Sequence, residues 1–302
     1  MPLFHIHGIV GLLLSSLFSG GNIFASTGFN ALKFFSWLKV FSPTWYSAVP
    51  TMHQAILSRV NRNSEIIAQT NLRFIRSSSA PLPSTTMQEV EKTFHCPVIE
   101  SYGMTEASHQ MTSNHLPPGN RKAKKAGFAA GPEVSVMDKN HNFLENGKIG
   151  EIVIRGNNVT RGYLNNPQAN NDSFVNGWFR TGDQGFYDEE GFLQLTGRIK
   201  EIINKGGEKI SPLEIDDEIM KHESVFQGIT FPIVHNKLGE EVAVAIVLKN
   251  NQQLSEQDLK EFLSNKLAPF KIPQKIIFLD EIPKGKTGKL QRIGLAKILG
   301  LE

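Results

Sequence analysis

The alternating valines and alanines of residues 242–248 constrain the fold most, because a period of two is the period of a strand. Ser255 then opens a helical pattern through Leu259, Phe262 and Leu263, and residues 275–279 read as a further strand. Upstream, Ser211-Pro212-Leu213-Glu214 offers an N-cap serine, a proline at the first helical position and a capping-box glutamate ahead of Ile215 and Ile219, which predicts a helix start. This βαβ-like succession of about a hundred residues predicts a small, separate α+β domain over residues 200–302, following a larger part over residues 1–199.

The larger part reads as α/β, with mixed sheets and helices. Residues 151–155 and 192–195 cluster or alternate apolar side chains between glycines and read as strands. Residues 9–18 read as a buried helix segment, and residues 29–40 as an amphipathic helix with Leu32, Phe35 and Leu38 among its apolar positions. With 302 residues and 40% hydrophobic content, the chain can bury an ordinary core in two domains. Basic residues number 32 against 29 acidic and are spread out, so the pI of 8.8 marks no polyanion-binding stripe, and nucleic acid is not expected as a partner. The single Cys96 lies in a hydrophobic stretch without metal-ligand spacing, which predicts a buried, inert thiol and a reducing, cytoplasmic setting. No Lys or Arg precedes the apolar run at residues 9–18, and Gly11, Ser15 and Ser16 interrupt it, so neither a signal peptide nor a membrane span is expected there. Gly300-Leu301-Glu302 shows no lipidation or peroxisomal signal.

Short motifs carry the chemistry. Tyr102-Gly103-Met104-Thr105-Glu106 follows a strand at Val98-Ile99-Glu100 and so reads as a strand-end loop, where ligands bind in α/β folds. A tyrosine face can stack on adenine, a threonine hydroxyl can donate to a phosphate oxygen, and a glutamate can ligate magnesium. Thr181-Gly182-Asp183 alone reads as a turn. With Trp178-Phe179-Arg180 before it and Gly197-Arg198-Ile199-Lys200 after it, an acid that accepts both ribose hydroxyls and a neighbouring arginine make a nucleoside clamp. In Pro283-Lys284-Gly285-Lys286-Thr287-Gly288-Lys289 the glycines give a lysine a mobile mount. It is not a P-loop, because Asp280 stands where the first glycine of that pattern must fall. Ser77-Ser78-Ser79-Ala80-Pro81-Leu82 is a small-residue loop, and the paired Gly206-Gly207 permits either close backbone approach to a ligand or a hairpin turn. His5 and His7 flank Ile6 on an alternating segment, which lets both face one pocket.

In this order and separation, the motifs resemble those of the adenylate-forming group of acyl-CoA synthetases, firefly luciferase and 4-coumarate:CoA ligase, from about Met1 to the C-terminus. Ala48-Val49-Pro50-Thr51-Met52-His53-Gln54, Met104-Thr105-Glu106-Ala107-Ser108-His109-Gln110-Met111-Thr112-Ser113-Asn114 and Gly206-Gly207-Glu208-Lys209-Ile210-Ser211-Pro212 are closest to its oxalate:CoA ligase branch. The resemblance implies the C-terminal portion of an AMP-binding adenylation domain over residues 1–199 and a small mobile domain over residues 200–302. It implies use of ATP, magnesium and coenzyme A. Tyr102 would stack on adenine beside Ser79, Ala80, Pro81 and Gly103, Thr105 would contact the α-phosphate, and Glu106 would hold magnesium. Asp183 would bind the ribose diol with Arg198 assisting, and Lys289 would be the catalytic lysine. Lys200 would be the hinge, Gly206 and Gly207 would line the CoA tunnel, and His109 with His5 or His7 would meet the second carboxylate of oxalate.

Two departures from the family pattern accompany the resemblance. The family's Ser/Thr/Gly-rich phosphate loop ending in Pro-Lys-Gly would lie upstream of everything here, and Lys125-Ala126-Gly127-Phe128-Ala129-Ala130-Gly131 is shorter than its counterpart. The implied function is an ATP-dependent acid:CoA ligase for a small carboxylic acid, present as a truncated chain with no membrane partner. Its rivals are a non-catalytic remnant that binds AMP or an acyl-adenylate, and a module that docks on a separately encoded N-terminal segment.

Overall fold

In the computed structural model, which describes residues 1–301 and leaves Glu302 outside the described residues, three five-stranded sheets organise the chain. Backbone contacts divide it into two units, Met1–Leu195 and Thr196–Glu302. The first sheet runs β1 (Trp45–Ala48), β2 (Phe74–Ser78), β3 (Val98–Met104), β4 (His109–Ser113), β5 (Phe128–Ala129), in that spatial order. Strands β1 to β3 are parallel and β4 and β5 antiparallel. Parallel neighbours require crossovers, supplied here by helices Pro50–Leu57 and Ser64–Ala68 and then Ser84–Phe94. In the last of these, Met87, Val90 and Phe94, three and four residues apart, share a cluster with Ile75 and Val98. The C-terminal ends of the parallel strands therefore come to one edge, with Ser47 of β1, Ser77 and Ser78 of β2 and Tyr102 of β3.

The second sheet contains β6 (Glu133–Met137), β7 (Gly150–Arg155), β8 (Phe174–Val175), β9 (Trp178–Tyr187) and β10 (Leu193–Arg198), in the order β10-β9-β7-β6 with β8 on β9. In the second unit, β11 (Ile203–Lys205) and β12 (Glu208–Ile210) form a hairpin, and the long antiparallel pair β13 (Val225–His235) and β14 (Gly239–Leu248) carries β15 (Lys275–Phe278) parallel to β14. Helix Glu256–Ser264, with Ser255 as N-cap, makes that last crossover, so the βαβ succession is present. Val242, Val244 and Ile246 pack with Ile215, Ile219, Leu259 and Leu263, whereas Ala243, Ala245 and Val247 pack with Phe231, Ile282 and Leu295. The alternation in β14 thus sorts side chains by size between two covered faces, not by polarity. At Ser211 half of the expected capping box forms: its hydroxyl accepts from the Glu214 N–H, but the Glu214 carboxylate pairs with Lys271 at 2.7 Å.

Two helix expectations need correction. Residues 9–18 form a π-helical turn, Ile9–Leu14, and a short α-helix, Ser15–Phe18; neither contains a buried residue, and Phe18 is 96% exposed. The expected helix at 29–40 starts late, at Phe34–Phe41, because the Asn30 side chain accepts from the N–H groups of Leu32 and Lys33 and holds a turn there; Leu32 is left exposed. Cys96 is buried, and burial followed by the nearby Glu91 pushes its thiol up to about 11. Among the described residues, no helix is long and apolar enough to cross a membrane.

Candidate active site

A cluster of buried polar side chains lies at the C-terminal edge of the parallel strands. His5 and His7 do not sit on an extended segment: Ile6–Gly8 is one helical turn, and the His5 ring caps it by accepting from the His7 N–H at 3.2 Å. His7 is fully buried, with Nε2 2.7 Å from Ser47 Oγ and Nδ1 3.0 Å from Ser79 Oγ. Its ring stacks on that of His109, with centroids 4.9 Å apart and planes 14° from parallel. The structure thus brings His7, His109 and Ser79 together and turns His5 toward its own backbone. Burial, reinforced by the positive charge of Arg76 and by His109, pushes His7 down to about 2.

Arg76, in the middle of β2, was not singled out from the sequence. Its Nη2 donates to His109 Nε2 at 2.9 Å and to Gln110 Oε1 at 3.0 Å, so Nε2 is the lone-pair nitrogen of the His109 ring. Nη1 is buried without a partner, and among the described residues no carboxylate pairs with this guanidinium. Burial alone pushes its value down to about 10. The signal was present in the sequence, since an arginine inside Phe74-Ile75-Arg76-Ser77-Ser78 is a charge at the centre of an inner strand.

The backbone holds His109 in place at some cost. Its φ is +94° and that of Ser108 +51°, a region that side-chain-bearing residues avoid at roughly 1–3 kcal/mol each. Gly103 makes the arrangement sterically feasible, because a Cβ there would lie 1.5 Å from the His109 carbonyl oxygen. On the other side Gly11 faces the ring, where a Cβ would come within 2.5 Å. The motif expected as a strand-end loop starts inside the strand: Tyr102, Gly103 and Met104 still pair with β4, and the turn begins with the 3-10 segment Thr105–Ala107.

Thr181-Gly182-Asp183 is not a turn but a bulge in β9. Val153 and Glu151 of β7 face Arg180 and Gln184, so two extra residues are accommodated on β9. Glu151 clamps the bulge, accepting from Gly182 N at 3.1 Å and from Arg180 Nε and Nη2 at 2.9 and 2.7 Å, while Thr181 Oγ1 donates to the Ile152 carbonyl at 2.7 Å. Asp183 is thereby presented to Tyr102, whose hydroxyl donates to its Oδ2 at 2.6 Å. The Glu106 carboxylate accepts from the Tyr163 hydroxyl at 2.9 Å, and Thr105 is exposed. Among the described residues no group of three or more His, Cys, Asp or Glu side chains gathers as a metal site. A single carboxylate such as Glu106 fits magnesium that takes its other ligands from phosphate and water.

Arg198, Lys200, Gly206, Gly207 and Lys289 belong to the second unit. Arg198 and Lys200 are exposed, Lys200 within the 3-10 turn Ile199–Glu201. Gly206 and Gly207, at φ +58° and +96°, form the two-residue turn of the β11–β12 hairpin, which needs positive φ at both positions. Lys289 lies in a small hairpin closed by the bridge between Lys284 and Leu290 and by Gly285 N donating to the Lys289 carbonyl at 2.9 Å.

A family model described as AMP-binding enzyme matches residues 1–164, and one described as AMP-binding enzyme C-terminal domain matches residues 214–289. The chain belongs to the AMP-binding enzyme family. It is 46% identical over 299 residues to an oxalate–CoA ligase of Saccharomyces cerevisiae, covering 98% of this chain and 54% of that protein. An Arabidopsis thaliana oxalate–CoA ligase is 44% identical over 295 residues, covering 97% and 57%. The ATP-bound crystal structure of MatB from Rhodopseudomonas palustris superposes with a TM-score of 0.89 at 30% identity, over 99% of this chain and 58% of that one. The family resemblance and the α/β class expected from the motifs therefore hold, and the chain spans about half the length of the curated relatives it matches.

Proposed function

We propose that this chain carries the acyl pocket, nucleoside clamp and catalytic lysine of an ATP-dependent acid:CoA ligase, and that its acid is a small dicarboxylate such as oxalate. One observation carries the choice of acid: Arg76 is a buried charge for which the described residues supply no carboxylate. Isolating a full charge from water is costly, and a dianionic acid brings the missing partner when it binds. The naming of two relatives as oxalate–CoA ligases agrees with this reading.

In the first half-reaction, one carboxylate oxygen of the acid attacks the α-phosphorus of ATP, the bond to the bridging oxygen breaks, and pyrophosphate leaves with that electron pair. Arg76, oriented by His109 and Gln110, which both accept from its Nη2, holds the second carboxylate, so that the first is aimed at phosphorus. Asp183 takes the ribose hydroxyls with Arg198 assisting, Tyr102 takes the adenine face beside Ser79, Ala80, Pro81 and Gly103, and Thr105 meets the α-phosphate. Lys289 relieves the repulsion between carboxylate and phosphate. Glu106 would hold magnesium, which when bound neutralises phosphate charge. In the second half-reaction the CoA sulfur attacks the acyl carbon, the thiol proton passes to solvent, and AMP leaves. Lys200 is the hinge at the domain boundary for that switch, and Gly206 and Gly207 line the pantetheine path. The reaction belongs to a reducing, cytoplasmic setting in which the lone Cys96 remains a thiol.

The test is acid-dependent pyrophosphate release with magnesium and CoA, comparing oxalate with acetate and a medium-chain acid. It is run on the chain alone and with a separately expressed N-terminal segment of a related ligase, because the relatives extend beyond the part matched here. Preference for oxalate supports the proposal. A medium-chain acid as the best substrate refutes the assignment of the acid, and AMP binding without pyrophosphate release in either arm favours a non-catalytic binder.

A further inference from the structure

Arg292 lies three residues beyond Lys289, on the stem of the hairpin that carries it, and its guanidinium is almost wholly enclosed. Nε donates to Glu201 Oε2 at 3.0 Å, Nη2 to Asp216 Oδ2 at 2.7 Å, and Nη1 to the Thr230 carbonyl. Asp216 also accepts from Thr230 N at 2.6 Å, so helix Pro212–Ile219 and β13 are joined at the same point. Burial works against the charge on Arg292, but the two carboxylates and their hydrogen bonds hold it above its ordinary value. Glu201 directly follows Lys200 and closes the turn Ile199–Glu201. Between Lys289 and Arg292, the hairpin is fixed by Leu290, packed in the cluster of Phe231 and Leu295, and by Gln291 N donating to the Pro283 carbonyl at 3.2 Å.

We propose that Arg292 is a positioning residue that locks the Lys289 hairpin to the turn after Lys200, so that hinge and lysine move as one rigid piece. This rests on the reading of Lys289 as the adenylating lysine and Lys200 as the hinge. A planar guanidinium bonded on three sides fixes both distance and orientation, which an ammonium on a flexible stem cannot do. A lysine displaced by about 1 Å from its working position loses on the order of 100-fold in rate.

Amide exchange followed by mass spectrometry on the 302-residue chain tests the coupling without any turnover. In Arg292→Gln, and to a lesser degree in Glu201→Gln, exchange should rise at least about tenfold both in the hairpin at residues 283–291 and in the turn at residues 199–203, with the core of β13 and β14 unchanged. Loosening of the hairpin without the turn, a uniform rise throughout the unit, or no change would overturn the proposal. If Arg292→Gln does not fold, Glu201→Gln decides alone. In a turning-over preparation, Arg292→Lys should lower pyrophosphate release about 10- to 100-fold and leave thioester formation from supplied acyl-adenylate within about twofold; equal loss of both steps is also contrary. Lys289→Ala, run alongside, separates the two failures: if it leaves adenylation intact, the functional reading is wrong, whatever the exchange data say about Arg292.

Discussion

Replacing Arg76 with methionine separates a substrate-binding charge from a structural one. A buried ion pair broken from one side costs about 3–5 kcal/mol, because a charge is left stranded. Among the described residues Arg76 has no carboxylate to strand. Its own burial pulls it from 12.5 to about 10, and at 1.36 kcal/mol for each tenfold change that corresponds to about 3 kcal/mol of cost, which methionine would not carry. Against this stand the bonds to His109 and Gln110, each worth about 1 kcal/mol net, and the acceptors left unsatisfied when they go, at about 1–3 kcal/mol. The terms largely cancel, so the stability of the first unit should fall by no more than about 2 kcal/mol. Trp37, Trp45 and Trp178 all lie in that unit, so urea unfolding followed by tryptophan fluorescence reports it selectively. Activity should respond very differently. Removing one side of a buried, hydrogen-bonded charge pair costs about 2–5 kcal/mol, which is about 30-fold to a few thousandfold in kcat/KM for oxalate. A monocarboxylate should lose much less. A loss of 3 kcal/mol or more in stability, or equal loss with both acids, would show that Arg76 is structural.

Other expectations follow from the same geometry. Lys289→Ala should abolish pyrophosphate release while leaving CoA transfer from supplied acyl-adenylate largely intact; equal loss of both steps contradicts a lysine used in one half-reaction. Gly207→Trp should do the reverse, since at φ +96° it strains only the exposed turn and its side chain, meeting nothing within 4 Å, would project from it, whereas matched loss of pyrophosphate release would make the turn merely structural. Acid should destabilise the first unit from pH 6.5 down to 4. His7 and His53, held near 2 and 4 by burial, take up their protons only on unfolding, so stability is complete above pH 6.5 and falls by about 1.4 kcal/mol per pH unit for each histidine as pH drops. In His53→Gln the slope of the urea midpoint against pH should roughly halve, and an unchanged slope would remove His53 from the account.

Much of this architecture is legible in the sequence because the elements obey local rules. β14 announces itself by period, and helices Pro212–Ile219 and Glu256–Ser264 announce themselves by their serine caps. The Thr181-Gly182-Asp183 bulge was not legible, because it depends on Glu151, thirty residues earlier in the chain, reaching across to Arg180 and Gly182. The long-range nature of that clamp makes a local reading return a turn. Residues 9–18 failed differently: an apolar run predicts burial only where something covers it, and although Gly11 meets the His109 ring, Ile9, Leu14, Leu17 and Phe18 are left exposed. His7 and His109 were singled out, but their stacking, and the arginine that fixes the tautomer of one of them, depend on three segments meeting.

The two enclosed arginines show how partners, not burial, distinguish roles. Arg292 is met by two carboxylates and a carbonyl and is held above its ordinary value; Arg76 is met by an imidazole and an amide and is pulled below it. The first arrangement is complete without a ligand, so its free energy is already spent on rigidity, and changing it should loosen what it ties. The second is incomplete, and a folded protein does not gain by leaving a charge in that condition unless something else completes it. The strained His109 and the glycines that crowd it, Gly11 and Gly103, point the same way, since each sacrifices local freedom to hold the acceptors that orient the Arg76 guanidinium. Replacing Arg76 should therefore cost little stability and much activity toward a dianionic acid.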